Sequence, residues 1–197
     1  TYFRHLDYVS KVPGDIVWER AKNQGETTHS MENYQGQESW KKRFMRLLFV
    51  RSLKCARLVI VPNSLLAKLV ESWGVNPCKV VKIPNTAKEL FFEQPTNLET
   101  TKIYDLVTVG RLISIKGLPE ILTLASGTRK SVAIVGSGPD ENNLRSMCKE
   151  FFIDATFLGE LTSPEVFSTL SQSRFFVMNS EHEGSPHALI EALAMGM

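Results

Sequence analysis

Between residues 105 and 195, short apolar runs alternate with amphipathic helical patterns, and this alternation limits the possible folds more than any other feature of the chain. Residues 105–109, 131–135, 155–158 and 175–178 read as strands, and residues 118–126, 140–151, 163–171 and 186–195 as helices. Ser163 is placed to cap its helix, and Pro164 and Pro186 suit first helical positions. The connections are short, so each strand must be followed by a helical crossover to a parallel neighbour. The class is therefore α/β, with a parallel sheet covered by helices on both faces. In such sheets ligands bind beyond the carboxyl ends of the strands, so binding residues are sought after Val109, Val135, Leu158 and Met178.

The first part of the chain is less regular. Residues 8–12 read as a strand closed by Pro13-Gly14-Asp15, followed by a polar, loop-rich stretch to about residue 39. A helix over 40–57, a strand over 58–61, a helix over 64–73 capped by Asn63 and a strand over 79–83 follow. The segment near Pro95, Asn97, Thr100 and Thr101 is polar, and the charge balance inverts there. Residues 1–86 hold 14 Lys and Arg against 7 Asp and Glu, whereas residues 87–197 hold 9 against 14. The expected organisation is one domain over 1–86, a linker over 87–102 and a second domain over 103–197. The opening at Thr1 and the stop at Met197, just after a helical pattern, lead to the expectation of a fragment of a longer protein. The three cysteines form no C-x-x-C pair, which points to a reducing, cytoplasmic setting.

Residues 40–57 carry seven bases and no acid, with apolar residues at helical spacing. An apolar stripe of this kind ordinarily faces the core of its own domain, which is the first expectation. The alternative is docking on an anionic membrane surface, to which each nearby base contributes about 1 kcal/mol. No aromatic stacking platform accompanies the bases, so nucleic acid is not an expected partner.

Three loops carry chemistry. Gly110, Arg111 and Lys116 follow the first strand of the second domain, and two cations beside a helix start suit a diphosphate; pairing of Arg111 with a neighbouring carboxylate is the alternative. Gly136-Ser137-Gly138-Pro139 lets backbone approach a ligand closely, or forms only a tight turn. The last loop sets Glu183 before a helix and Glu191 inside it, in the apolar run Ala188-Leu189-Ile190-Glu191-Ala192. A carboxylate buried there needs donors, which sugar hydroxyls can supply; a solvent-facing Glu is the alternative.

Val109-Gly110-Arg111 with Lys116-Gly117, Ile134-Val135-Gly136-Ser137-Gly138-Pro139, Phe157-Leu158-Gly159, and Ser180-Glu181-His182-Glu183-Gly184-Ser185-Pro186 followed by Glu191-Ala192-Leu193-Ala194-Met195-Gly196 occur in order. Together they resemble the donor-binding domain of the retaining GT-B glycosyltransferases of family 4, also called glycosyl transferases group 1. Upstream, 58–63 and 81–85 are similar to that family's last N-domain segments. The resemblance implies two Rossmann-like domains and a nucleotide-diphosphate-sugar donor as substrate, with no cofactor and no metal. It implies that Arg111, Lys116 and Gly110 meet the diphosphate and that Glu191 holds the ribose. Glu183 would lie at the transferred sugar, with backbone contacts from Gly184, Ser185 and Pro186.

Many members carry a histidine at an N-domain strand end where this chain has Val12-Pro13-Gly14-Asp15. The surrounding residues are similar to a bacterial branch with Gly-Asp there, so Asp15 becomes a catalytic candidate in an active cleft, or else a turn residue. The implied activity is sugar transfer to a glycan or lipid-linked acceptor in surface polysaccharide synthesis, at the inner face of the plasma membrane. A non-catalytic nucleotide-sugar binding module and another GT-B enzyme, such as a nucleotide-sugar epimerase, are the alternatives.

Overall fold

A computed structural model describes residues 7–29, 31, 34, 39–92 and 101–197. The chain divides into two compact units: Thr1–Asn85 with His182–Ser185, and Thr86–Glu181 with Pro186–Met197. The four residues His182–Ser185, read above with the second domain, thus group with the first.

The first unit is a parallel sheet of three strands, β1 (Val9–Lys11), β2 (Leu58–Val61) and β3 (Val80–Lys82), in that order. Its helices are α1 (Ile16–Asn23), α2 (Trp40–Cys55) and α3 (Ser64–Ser72). Asn63 caps α3 as expected, accepting from Leu66 N at 2.8 Å. Helix α1 lies where loop was expected, because Asp15 accepts hydrogen bonds from Val17 N and Trp18 N at its start and Val17, Trp18 and Ala21 are buried. Parts of that polar stretch, 30, 32–33 and 35–38, lie outside the described residues.

Helix α2 departs from expectation. Its interior-facing side carries Lys42, paired with Glu26, and Arg46, whose Nη1 lies 2.8 Å from Asp15 Oδ2. Its apolar stripe of Trp40, Phe44, Leu47 and Leu48 is exposed. Burying either base unpaired would be costly, so two carboxylates on other segments fix which side turns in. Among the described residues no helix is long and apolar enough to cross a membrane.

The second unit has four parallel strands, β4 (Tyr104–Val109), β5 (Val132–Val135), β6 (Ala155–Gly159) and β7 (Ser173–Phe176), ordered β6-β5-β4-β7. They alternate with helices α4 (Leu118–Thr128), α5 (Glu141–Glu150), α6 (Ser163–Ser171) and α7 (His187–Ala194). Period-two alternation splits the core into two layers. Val132, Ile134 and Leu106 face α4 and α5 through Ile121, Leu122 and Leu144; Ala133, Val135 and Val107 face α6 and α7 through Leu170 and Ala192. The central strand β5 is apolar and buried throughout because both of its faces are covered.

Three local expectations shift. Thr162, not Ser163, caps α6, since Glu165 three residues on completes a capping box with it. Pro186 is the cap of α7 rather than its first residue. Of the segment read as linker, 87–92 belong to the second unit, as does Thr86, which was read with the first domain: Glu89–Phe91 forms one 3-10 turn and Phe91 is fully buried in the α6/α7 layer. The apolar spacing of Ala87, Leu90 and Phe91 explains this, and 93–100 lie outside the described residues.

Candidate functional site

In the second unit, the loops after β4, β5, β6 and β7 are stitched together by backbone hydrogen bonds. Gly110 N donates to Val135 O at 2.9 Å, Leu112 N to Ser137 O at 2.8 Å, Gly136 N to Gly159 O at 2.7 Å and Glu181 N to Ile115 O at 2.9 Å. Glycine makes this closeness possible. A Cβ on Gly136, whose φ is +125°, would stand 2.0 Å from Gly110 O, and one on Gly138 would stand 2.2 Å from Leu112 O. The strand order reverses at β4, so these loops occupy the place where an open α/β sheet leaves a crevice.

A cavity of about 300 Å³ opens over the ends of β4, β5 and β6, lined by Gly110, Arg111, Gly136, Ser137, Glu160 and Leu161. Lys116, in the 3-10 turn Ser114–Lys116, folds its stem back toward Gly110, where a Cβ would lie 3.8 Å from Lys116 Cε. Arg111 and Gly110 thus share the cavity lining, and Lys116 lies beside Gly110. Glu160 was not singled out in the sequence, and Ser137 was named only as part of the Gly136-Ser137-Gly138-Pro139 loop. Ser137 Oγ donates to Glu160 Oε1 at 2.5 Å across the mouth, and position at a strand end was the one signal they offered.

Glu191 is half-buried on α7. Burial pushes its carboxyl above the usual range, opposed by the charges of His187, one turn earlier, and Lys88. It is neither the fully solvent-facing Glu nor a carboxylate supplied with donors by the described residues. Helix α7 has no side-chain cap and no acid in its first turn, so its leading N–H groups favour an anion.

The first unit holds the remaining candidates. Glu183, Gly184 and Ser185 sit on a segment fixed by the asparagines after β2 and β3: Asn63 Nδ2 donates to Gly184 O, and Asn85 Nδ2 to Ser185 O at 2.7 Å. A Cβ on Gly184 would stand 2.1 Å from Pro13 O, and His182 meets the Trp18 ring edge-on at 5.7 Å. Asp15 lies close by in sequence but presents no open carboxylate. It is fully buried and engaged by Val17 N, Trp18 N and Arg46. Here it is a cap and an ion-pair partner, which corrects its expected place in an open cleft.

The fold has solved counterparts. The chain is similar to Anabaena HepE crystallised with UDP and glucose (TM-score 0.73, 15% identity, 96% of this chain and 51% of that one). It is also similar to WaaG, a glycosyltransferase involved in lipopolysaccharide biosynthesis (TM-score 0.70, 14% identity, 96% and 54%). These likenesses establish an α/β fold of the GT-B glycosyltransferase type. A curated Haemophilus influenzae protein described as an uncharacterized glycosyltransferase is 26% identical over 189 residues, covering 92% of this chain and 48% of that protein. The chain thus spans about half the length of this relative. The model of the glycosyl transferases group 1 family matches residues 89–197, more than half of the chain and the whole of the stitched-loop site. The chain belongs to the glycosyl transferases group 1 family.

Proposed function

We propose that this chain carries the donor site of a retaining glycosyltransferase, which moves a sugar from a nucleotide-diphosphate-sugar to a glycan or lipid-linked acceptor during surface polysaccharide synthesis. The observation that carries this reading is that Arg111 and Gly110 line one cavity beyond the parallel strands and that Lys116 lies beside Gly110. Two cations on a backbone locked by glycine contacts hold charge where a leaving diphosphate needs it, with no reorganisation during the reaction. The diphosphate so held can help take the acceptor proton on the same face, so that configuration is retained. Charge neutralisation then falls to these side chains, with neither metal nor cofactor required.

Glu191 is the ribose ligand in this reading. A half-buried carboxylate raised by desolvation gains from two hydroxyl donors, which replace the water it has lost. Glu183 is the catalytic-site carboxylate at the transferred sugar, with backbone contacts from Gly184, Ser185 and Pro186. Asp15 acts as a positioning residue that fixes the start of α1 beside Pro13 and Gly14. The complexes of HepE with UDP and glucose and of pneumococcal GtfA with UDP and GlcNAc (TM-score 0.62, 18% identity, 79% of this chain and 31% of that one) support a nucleoside-diphosphate donor. The three free thiols of Cys55, Cys78 and Cys148 fit a cytoplasmic location.

The test is a panel of nucleotide sugars offered to the full-length protein, with nucleotide release followed in the presence and absence of acceptor glycolipids and with a chelator added. Acceptor-dependent release that survives the chelator is expected. Binding without release would instead identify a binding module, and conversion of the donor sugar without acceptor an epimerase.

A further inference from the structure

The cavity beyond β4, β5 and β6 has a divided lining. Val109, Val135, Leu161 and Val166 give it an apolar wall, and Ser137 and Glu160 meet at its mouth, where Ser137 Oγ donates to Glu160 Oε1 at 2.5 Å. At about 300 Å³ it stands at the small end of ligand pockets, with room for one flat ring system. An apolar wall with a polar rim suits a heterocyclic base, whose faces leave water while its edge keeps hydrogen bonds. Three backbone donors beside the cavity are already committed: Gly110 N, Leu112 N and Gly136 N donate to Val135 O, Ser137 O and Gly159 O. That shifts the reading of a ligand's edge toward the side chains at the mouth.

Among the described residues lining the cavity, Glu160 is the one acid and Arg111 the one base. A carboxylate repels a diphosphate and accepts from a neutral N–H edge, so the two charges assign opposite ends to a nucleotide: diphosphate toward Arg111, base toward Glu160. Ser137 takes one lone-pair site on Oε1 and orients the carboxylate, whose Oε2 and second Oε1 site can serve a ligand. Guanine presents two adjacent, parallel donors, N1–H and N2–H, spaced for the two oxygens of one carboxylate. Uracil places its N3–H between two carbonyls, which a carboxylate repels. Adenine and cytosine set their amino group beside a ring nitrogen that only accepts.

We propose that Glu160, oriented by Ser137, reads the Watson–Crick edge of a guanine, so that the donor is a GDP-sugar. Ser137 is the positioning residue and Glu160 the one that determines specificity. This rests on the reading of the cavity as a donor site and names the base that site takes.

The test is calorimetric titration of GDP, IDP, UDP, CDP and ADP into the full-length protein and into Glu160→Ala, Ser137→Ala and Arg111→Ala. GDP should bind at least about tenfold more tightly than UDP, CDP or ADP, because a site built around a ligand's donors rejects a base that lacks them. Glu160→Ala should lower GDP affinity about tenfold to hundredfold, the range for hydrogen bonds to a charged group, and leave UDP affinity within about twofold. Glu160 is exposed, so its melting midpoint should not move and loss of binding is separable from loss of fold. IDP lacks the 2-amino group: it should bind about tenfold less tightly than GDP to the unaltered protein and equally to Glu160→Ala. Ser137→Ala should narrow the preference for GDP over UDP about threefold. Equal affinity for GDP and UDP in the unaltered protein, or a preference that survives Glu160→Ala, would overturn the proposal. Arg111→Ala weakening every diphosphate in that event would leave the donor-site reading standing without it, whereas failure of all five diphosphates to bind would overturn both.

Discussion

The two ends of the second unit's sheet use charge in opposite ways. At the amino ends, Asp105 on β4 accepts from Ser131 N at 3.2 Å and stands 3.5 Å from both Lys130 Nζ and Arg174 Nε, which flank β5 and lie in β7. One carboxylate answers two bases, and the cluster only ties strands together. At the carboxyl ends, Arg111 and Lys116 are carried on loops stitched by backbone hydrogen bonds around a cavity. Charge at one end ties neighbouring strands together, whereas at the other it sits on loops beside a cavity. The difference shows why a basic residue at a strand's carboxyl end is informative when the same residue at its amino end is not.

The comparison breaks most severely if the stitching itself is removed. Gly136→Ala forces a methyl group against Gly110 O at a positive φ, and should cost about 3 kcal/mol of stability in urea unfolding together with nucleotide binding. Stability and binding both intact would show that the loops are not locked as described. A smaller effect is expected from Glu191. Its carboxyl titrates above the usual range because of desolvation, so its ionised form, the one that accepts from ribose, should be lost as pH falls through that raised pKa. Nucleotide affinity should decline there and be independent of pH in that window in Glu191→Gln, at about 1 to 2 kcal/mol weaker binding. The sign for stability is opposite: a raised folded-state pKa favours the folded protein below the unfolded value, and that contribution fades as pH rises through the folded one. The smallest effect is expected from Asp105→Asn. The hydrogen bond from Ser131 N, with the charge of Lys130, holds that carboxyl below its ordinary range, so its contribution is lost as pH falls. A slightly lower melting midpoint at neutral pH with unchanged nucleotide affinity would keep the two ends distinct.

Much of the second unit was legible in the sequence because its central strands β4 and β5 are largely buried and so read as apolar runs bounded by turn residues. The cations at its loops were legible because their position follows from the strand ends. Helix α1 was hidden: Glu19, Arg20 and Lys22 dilute its apolar residues, and Pro13-Gly14 masks the capping role of Asp15. The orientation of α2 could not be read from its own periodicity, because both of its sides are regular. Asp15 and Glu26, 31 and 16 residues from their partners, decide it. The fixing of His182–Ser185 was similarly out of reach, since Asn63 and Asn85 bond across 121 and 100 residues of sequence. Single-sequence patterns report local geometry, and these features are set by long-range pairing.

The central claim is that Arg111 and Lys116 form the diphosphate seat of the donor site. Calorimetric titration of UDP and GDP into the full-length protein, and into Arg111→Ala and Lys116→Ala, tests it directly. Each substitution should weaken nucleoside-diphosphate binding by about 1.5 to 3 kcal/mol, the range of charge-assisted hydrogen bonds, with little effect on binding of the uncharged nucleoside. Diphosphate affinity unchanged in both variants would contradict the account.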